Sequence, residues 1–462
     1  MKKNPLIQSG TRVAVLGLGV SGRAAVQYLQ ACGAEVVVSD NRQQGQLLEK
    51  EGIFLDNSGV AWEAGGHSLA FLGKADIVFV SPGVPLNLSL LVQLQQQGVR
   101  IMGELALAAP ALCETVVAIT GTNGKTTVTT LIGELLRGAG KNVFVGGNIG
   151  TPIFEYLLKG PEAEALVLEV SSFQLDTAGR FRPDIALLLN ITPDHIDRHG
   201  SLADYTRAKM KIFGKQRQAD TAIVNGDDPL CRSLVNEIGS RVMFFGHGSD
   251  CQARIAGNRV ILRWQEEEIY DLAGTSLANT TGVLNSAAAI AAARSAGCNP
   301  ETIRAGLAAF QPLHHRMEAV AEVDGVIYYD DSKATNTGAV LSALAQIVGK
   351  VVLIAGGKDK GDDYTLLRKS VKDKARKVIL IGEATDLLEK ALFGTAPLVR
   401  AQSLEEAVQI ARVVAEPGDA VLLSPACASF DMFKSYAHRG EVFVAAVERL
   451  RAAEAAARTE RR

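Results

Sequence analysis

The chain has 462 residues, 47% hydrophobic and 21% charged, with a formal net charge of −2. That apolar content excludes a disordered or collagen-like chain and suffices for about three domain cores. Near-neutrality excludes a whole-surface polyanion binder but leaves room for local anion sites. No apolar run reaches the ~20 residues of a membrane-spanning helix, and the N-terminus, with Lys2, Lys3 and Pro5, lacks an apolar leader. Six cysteines (Cys32, Cys113, Cys231, Cys251, Cys298, Cys427) form no C-x-x-C pair, which reads as reduced thiols in a cytoplasmic protein.

In chain order, short apolar runs alternate with helical patterns. The predicted strands are 12–16, 36–39, 77–80, 116–120, 166–169, 185–190, 326–330, 351–355, 378–382 and 420–424. Runs apolar on both faces and separated by helices imply mostly parallel, helix-covered sheets. Ten runs exceed one ordinary sheet, so the reading is an α/β chain of three domains, at about 1–110, 111–312 and 313–462. Beyond Leu450 the chain reads as a terminal helix fraying into solvent, with Phe443, Val447 and Leu450 on one face.

Gly17-Leu18-Gly19-Val20-Ser21-Gly22 follows the first strand and opens a helix, with Asp40 at the end of the next strand. This is the dinucleotide-type pattern, and its physics is a diphosphate seated on a helix N-terminus. Ser81-Pro82-Gly83 ends another strand and could line the same crevice. Further on, Thr120-Gly121-Thr122-Asn123-Gly124-Lys125-Thr126-Thr127 joins a strand to a helix ending near Gly138. Backbone amides there suit phosphates, Lys125 the terminal phosphates and Thr126 a Mg²⁺ ion. The loop is a variant P-loop, since Ile119 stands where the full pattern has glycine. Glu169 ends a strand and His195 follows another, both where ligands bind parallel sheets. Ser201 with Asp204 predicts a capped helix whose one face carries Tyr205, Lys209, Ile212 and Phe213. On residues alone, Lys209 is expected to lay its stem on the surface with its head in water.

These segments resemble the Mur ligases, ATP-dependent amide-forming enzymes of peptidoglycan synthesis, over essentially the whole chain. The carriers are GTNGKTT at 121–127, LEVSSFQLD at 168–176, NITPDHIDRHG at 190–200 and YTRAKMKIF at 205–213. In the last domain they are LHHRMEAV at 313–320, DDSKATNTG at 330–338, AGGKDKG at 355–361 and SPACASFDMFKSYAHRGEVF at 424–443. The DDSKATN and SPACASFD segments point to the D-glutamate-adding members. The resemblance implies a Rossmann-like N-terminal domain, a P-loop ATPase-like central domain and a Rossmann-like C-terminal domain. It assigns the nucleotide-sugar UDP-N-acetylmuramoyl-L-alanine, rather than NAD, to Gly19, Val20, Ser21, Asp40, Asn41, Arg42, Ser81, Gly83 and Asn148. ATP falls to Gly121, Thr122, Asn123, Gly124, Lys125, Thr126, Thr127, Asn285, Arg316, Asp331 and Lys333, reached across the domain junction. Two Mg²⁺ ions fall to Thr126 and Glu169 and to His195, with Lys209 carbamylated in support, and Lys125, His195 and Lys209 are the implied catalytic set. D-glutamate falls to Thr335, Lys360, Ser429 and Tyr436. Two departures stand out: Thr281-Gly282 replace the family's His-Asn before Asn285, and Tyr436 replaces Phe.

The implied reaction forms an acyl phosphate from ATP, then an amide with D-glutamate. The chain is expected to act as a monomer on small molecules, with no nucleic-acid partner and no membrane insertion. Three rivals remain: a folylpolyglutamate synthase-like ligase, an NAD-dependent oxidoreductase suggested only by the first glycine loop, and a nucleotide sensor with a degenerate site.

Overall fold

The computed structural model describes residues 1–47, 49–160, 162–311 and 313–460. Three sheets carry the chain. The first comprises β1 (Arg12–Leu16), β2 (Glu35–Asp40), β3 (Ala61–Ala64), β4 (Ile77–Val80) and β5 (Arg100–Met102). It is wholly parallel in the order β3-β2-β1-β4-β5. The second contains β6 (Thr115–Thr120), β7 (Val143–Gly147), β8 (Ala165–Glu169), β9 (Ile185–Leu188), β10 (Thr221–Asn225), β11 (Arg241–Gly246), β12 (Ala253–Ala256), β13 (Arg259–Arg263) and β14 (Glu267–Asp271). Its order is β14-β13-β12-β11-β10-β9-β6-β8-β7, parallel except for the antiparallel β12-β13-β14 end. The third holds β15 (Glu318–Val323), β16 (Val326–Asp330), β17 (Val351–Gly356), β18 (Ala375–Ile381), β19 (Leu398–Arg400) and β20 (Ala420–Leu423). Its order is β15-β16-β20-β17-β18-β19, antiparallel only at β15-β16.

The chain divides into two compact units. One is Met1–Ile191, Thr206–Thr275 and Val283–Phe310; the other is Thr192–Tyr205, Ser276–Gly282 and Gln311–Arg462. The predicted boundary at 312 falls on a residue outside those described. Among the described residues, no helix is long and apolar enough to cross a membrane.

The third sheet shows why doubly apolar runs were needed. Side chains alternate across a strand, so Val351, Leu353 and Ala355 enter one core while Val352 and Ile354 enter the other. Leu422 and Val421 of β20 divide the same way. Each such burial contributes roughly 1.5–3 kcal/mol. The C-terminal helix, Tyr436–Glu460, seals the second core with Phe443, Val447 and Leu450, the face the sequence predicted. The predicted fraying concerns a tail whose last two residues lie outside those described.

Three predicted strands overrun, and the run 420–424 ends at Leu423. The run 185–190 stops at Leu188, because Asn190 leaves the sheet to bond the phosphate loop. The run 378–382 spans Ala375–Ile381 instead, since Gly382 turns away at φ +73°.

Candidate active site

The glycine loop after β1 is shaped by contact. Gly17 has φ +85°, and a Cβ on Gly22 would lie 2.0 Å from the Gly17 carbonyl oxygen. Only glycine at 22 lets the helix Val20–Ala31 start this close to the strand. Its N-cap, Gly19, has no side-chain cap, so the helix N-terminus offers its amides to a ligand. Ser81 Oγ fixes the turn by donating to Gly17 O at 2.8 Å.

In front of this loop lies a cavity of about 620 Å³, within the size range of small-molecule sites. Gly19, Val20, Ser21, Asp40, Asn41, Arg42, Ser81, Gly83 and Asn148, the nine residues assigned to the nucleotide-sugar, all line it. His67, Pro152 and Gln174 line it too and were missed by the sequence reading. Asp40 does not present a free carboxylate. It accepts from Leu18 N at 2.8 Å and from the Arg42 backbone and guanidinium at 2.8–3.0 Å. Burial pushes its pKa up, but those hydrogen bonds outweigh it and hold the group at about 2. Arg42 is braced again by Glu51 at 3.0 Å.

The phosphate loop leads into the helix Lys125–Gly138. Gly124 is left-handed at φ +83°, and a Cβ there would meet Asn285 Oδ1 at 2.7 Å, which places Asn285 against the loop. Asn190 clamps the loop from β9's end, its Oδ1 accepting from Asn123 N at 2.8 Å and its Nδ2 donating to Asn123 O at 3.1 Å. Lys125 Nζ curls over the loop, 2.8 Å from both Gly121 O and Thr122 O. Thr126 Oγ1 donates to Glu169 Oε2 at 2.8 Å, and Asn148 Nδ2 donates to Glu169 Oε1 at 2.8 Å. The cavity and the phosphate loop thus meet on one carboxylate.

The expectation for Lys209 on residues alone is overturned. Its side chain is buried, 1% exposed, and Nζ donates to Gly121 O at 2.8 Å. Ile212 and Phe213 are buried beside it in sequence, as is Tyr205, so the head was drawn in with the apolar face. Ser201 does cap this helix, accepting from Asp204 N at 3.1 Å.

The second unit gathers the remaining predicted residues. His195 sits at φ +55°, its Nε2 3.8 Å from Asp194 Oδ2. Asp194 is buried and binds Lys360 Nζ at 2.6 Å and Asn336 Nδ2 at 3.2 Å. Arg316 lies between two left-handed residues, His315 (φ +63°) and Met317 (φ +48°). His315 is locked by Asp330, Nδ1 to Oδ2 2.6 Å, and its carbonyl accepts from Lys333 N at 3.1 Å. His315, Glu318 and Asp330 are the one group of histidine, cysteine and carboxylate side chains among the described residues spaced to share a metal. The 2.6 Å contact inside it is a hydrogen bond. Asp331 is buried, bound by Ser424 Oγ and Met317 N, and burial pushes it up to about 7. Lys333 Nζ stands 3.8 Å over the Tyr436 ring, so the aromatic that replaces phenylalanine keeps a cation partner. Thr335 follows on the same loop, its N donating to Lys333 O at 2.9 Å, and Ser429 is buried with its carbonyl accepting from Phe433 N. Gly282 has a packing reason: a Cβ would come 2.5 Å from Leu277 O.

Arg439, unassigned by the sequence, ties these loops together. It is fully buried and donates to Ser332 Oγ and O and to Cys427 O and Ala428 O.

Comparison with known proteins matches residues 11–103 to the Mur ligase MurD-like N-terminal domain, 119–293 to the Mur ligase middle domain and 315–427 to the Mur ligase glutamate ligase domain. A UDP-N-acetylmuramoylalanine–D-glutamate ligase of Desulfotalea psychrophila is 54% identical over 446 residues, 96% of this chain and 97% of the relative. The chain belongs to the Mur ligase family. A ligase of the same name from Koribacter versatilis is 42% identical, over 96% of this chain and 98% of its own. Among solved structures, a MurF of Acinetobacter baumannii has TM-score 0.61 at 18% identity, covering 96% of this Mur ligase and 92% of that chain. FolC of E. coli has TM-score 0.57 at 20% identity, covering 74% of this chain and 93% of its own. At such identities these two establish the shared fold, a three-domain α/β arrangement in the Mur ligases, and nothing finer.

Proposed function

We propose that this Mur ligase adds D-glutamate to the alanine carboxylate of UDP-N-acetylmuramoyl-L-alanine, releasing ADP and phosphate, as a step of peptidoglycan synthesis. The observation that carries the reading is the Asn148–Glu169–Thr126 chain. It joins a nucleotide-sized cavity to a phosphate loop through two 2.8 Å hydrogen bonds, so an acceptor carboxylate and a γ-phosphate can share one place. The full-length relatives bearing this activity in their names support the choice of substrates. The folate-ligase alternative is weaker: its neighbour covers less of the chain and shares only the fold.

In this reading the substrate carboxylate oxygen attacks the γ-phosphorus, an O–P bond forms and ADP leaves. Two anions must approach, so positive charge has to be supplied. Lys125 supplies it at the loop. The Thr126 hydroxyl and Glu169 carboxylate, hard oxygens 2.8 Å apart, fit Mg²⁺, which would neutralise phosphate charge when bound. A second Mg²⁺ site at His195, with Lys209 as its carbamate, rests on the resemblance. What supports it is the place of Lys209: its head is buried at the phosphate loop, 2.8 Å from Gly121 O. The D-glutamate amine then attacks the acyl carbon, its nitrogen losing a proton as the phosphate departs; His195 can take that proton only with its ring off the metal, because a neutral imidazole has a single acceptor nitrogen.

We assign ATP contacts to the phosphate loop with Asn285, and to Arg316, Asp331 and Lys333. D-glutamate is assigned to Thr335, Lys360, Ser429 and Tyr436; the Lys360–Asp194 pair supports this, because a substrate carboxylate can compete for that ammonium. We further propose three domains at about 1–110, 111–312 and 313–462, one per substrate, in a cytoplasmic monomer. The unpaired state of all six cysteines fits that compartment.

The test is phosphate release from ATP. It should require both UDP-N-acetylmuramoyl-L-alanine and D-glutamate, and Lys125→Ala should abolish it. Release with L-glutamate and a folate instead, or near-normal turnover of the variant, would overturn the assignment.

A further inference from the structure

His67 lines the nucleotide cavity and has no part in the reading above. The serine beneath it fixes its chemistry. Ser39 Oγ, buried at the end of β2, lies 2.7 Å from Glu63 Oε1, 3.3 Å from Gly66 O and 2.6 Å from His67 Nδ1. A hydroxyl has one proton. A carboxylate and a carbonyl can only accept, so that proton goes to Glu63, and the short contact to His67 requires Nδ1–H to donate to Ser39. Glu63 is held in turn by Ser68 N at 2.9 Å and Ser68 Oγ at 2.7 Å. Burial lowers the pKa of the ring against the opposing pull of Glu63 and Asp40, so it is neutral at pH 7. With Nδ1 carrying the proton, Nε2 is a bare acceptor.

Its place along the sheet says what it can meet. The order β3-β2-β1 sets three loops side by side. The glycine loop after β1 suits a diphosphate, the end of β2 at Asp40 is the ribose position of such folds, and His67 follows β3, one step further out. Beyond the ribose comes the base. Asp40, saturated by Leu18 and Arg42, has no oxygen left to read it.

We propose that His67 Nε2 accepts a hydrogen bond from N3–H of the uracil ring, making His67 a determinant of nucleobase specificity. This rests on the assignment of the cavity to UDP-N-acetylmuramoyl-L-alanine. Uracil offers one ring donor, N3–H, between two carbonyls. Cytosine has a lone pair at N3, which would face the lone pair of Nε2. A site built to accept that proton therefore rejects the analogue lacking it.

The experiment compares wild type, His67→Ala and His67→Gln. Calorimetry measures binding of UDP, CDP and 2′-deoxy-UDP, and steady-state kinetics measures KM for all three substrates. The wild type should prefer UDP to CDP. His67→Ala should lose that preference and raise KM for the nucleotide-sugar roughly tenfold, with KM for ATP and D-glutamate unmoved. His67→Gln should recover part of the preference, since its Oε1 accepts. An unchanged UDP-to-CDP ratio in His67→Ala would overturn the proposal, as would equal weakening of both or a loss confined to 2′-hydroxyl discrimination. Calorimetry reads the base preference without turnover, so failure of the ligase reading, seen as no phosphate release by the wild type, is a separate result.

Discussion

Replacing Arg439 with methionine tests how the loops of the second unit are held. The side chain is fully buried, and its donors reach Ser332 Oγ (3.0 Å), Ser332 O (2.8 Å), Cys427 O (3.1 Å) and Ala428 O (3.3 Å). Burial pulls its pKa down to about 10, so it remains a cation at neutral pH. Methionine fills similar space but leaves Ser332 O and Cys427 O without this donor, each costing about 1–3 kcal/mol, while Ala428 O keeps Lys358 N at 2.8 Å. Relief of the buried charge offsets part of that, leaving a net loss of roughly 3 kcal/mol. For a unit of this size, that corresponds to a fall in melting temperature of about 6–12 °C. Scanning calorimetry reads it directly. Arg439→Lys should fall between, since its three donors sit at one point rather than on a fork. Ser332 lies between Asp331 and Lys333, and Ala428 precedes Ser429, so KM for ATP and for D-glutamate should both rise. A melting temperature within about 2 °C of wild type, with both KM values unchanged, would refute the reasoning.

Glu104 is buried, accepting from Ile153 N at 2.9 Å and Gln174 Nε2 at 3.3 Å, and burial raises its pKa to about 7. The folded state therefore holds the proton more tightly than the unfolded one. Its stabilisation is complete below about pH 4.5 and is lost as pH rises through about 7. In urea melts, Glu104→Gln should gain on wild type by up to roughly 3 kcal/mol between pH 5 and pH 8; a pH-independent difference would count against it. Gly22→Ala, whose Cβ would meet Gly17 O at 2.0 Å, should raise KM for the nucleotide-sugar at least about tenfold while sparing KM for ATP. Titrating Mg²⁺ against turnover should show Glu169→Gln needing far more metal than wild type, because an amide oxygen lacks the charge of the carboxylate. An identical metal titration would remove Glu169 from that role.

The parts of the fold legible in the sequence were those whose strands are apolar on both faces. β1, β4, β17 and β20 are buried throughout or nearly so and read as plain runs. β5 and β19, three residues each, are too short to show a period. β13 and β14 alternate buried and exposed in an antiparallel edge, a pattern that a search for two-faced strands passes over. The phosphate loop was readable because its residues are adjacent in sequence. Its brace, Asn190, lies 67 positions from Asn123 and became visible only when β9 was seen to end early. Lys209 was misjudged because an apolar stripe says which face is buried, not how far a long stem is drawn in with its head. Arg439 lies inside the segment 424–443 that carries the resemblance, but nothing local assigns it a role; its four acceptors come from two loops, one of them 107 residues away.

The central claim is that the alanine carboxylate is activated by phosphorylation, at the point where the cavity and the phosphate loop share Glu169. Supplying UDP-N-acetylmuramoyl-L-alanine with heavy oxygen in that carboxylate, together with ATP and D-glutamate, tests it by mass spectrometry of the released phosphate. The account predicts one heavy oxygen in each phosphate, in step with the amide product. Amide formed alongside unlabelled phosphate would contradict it.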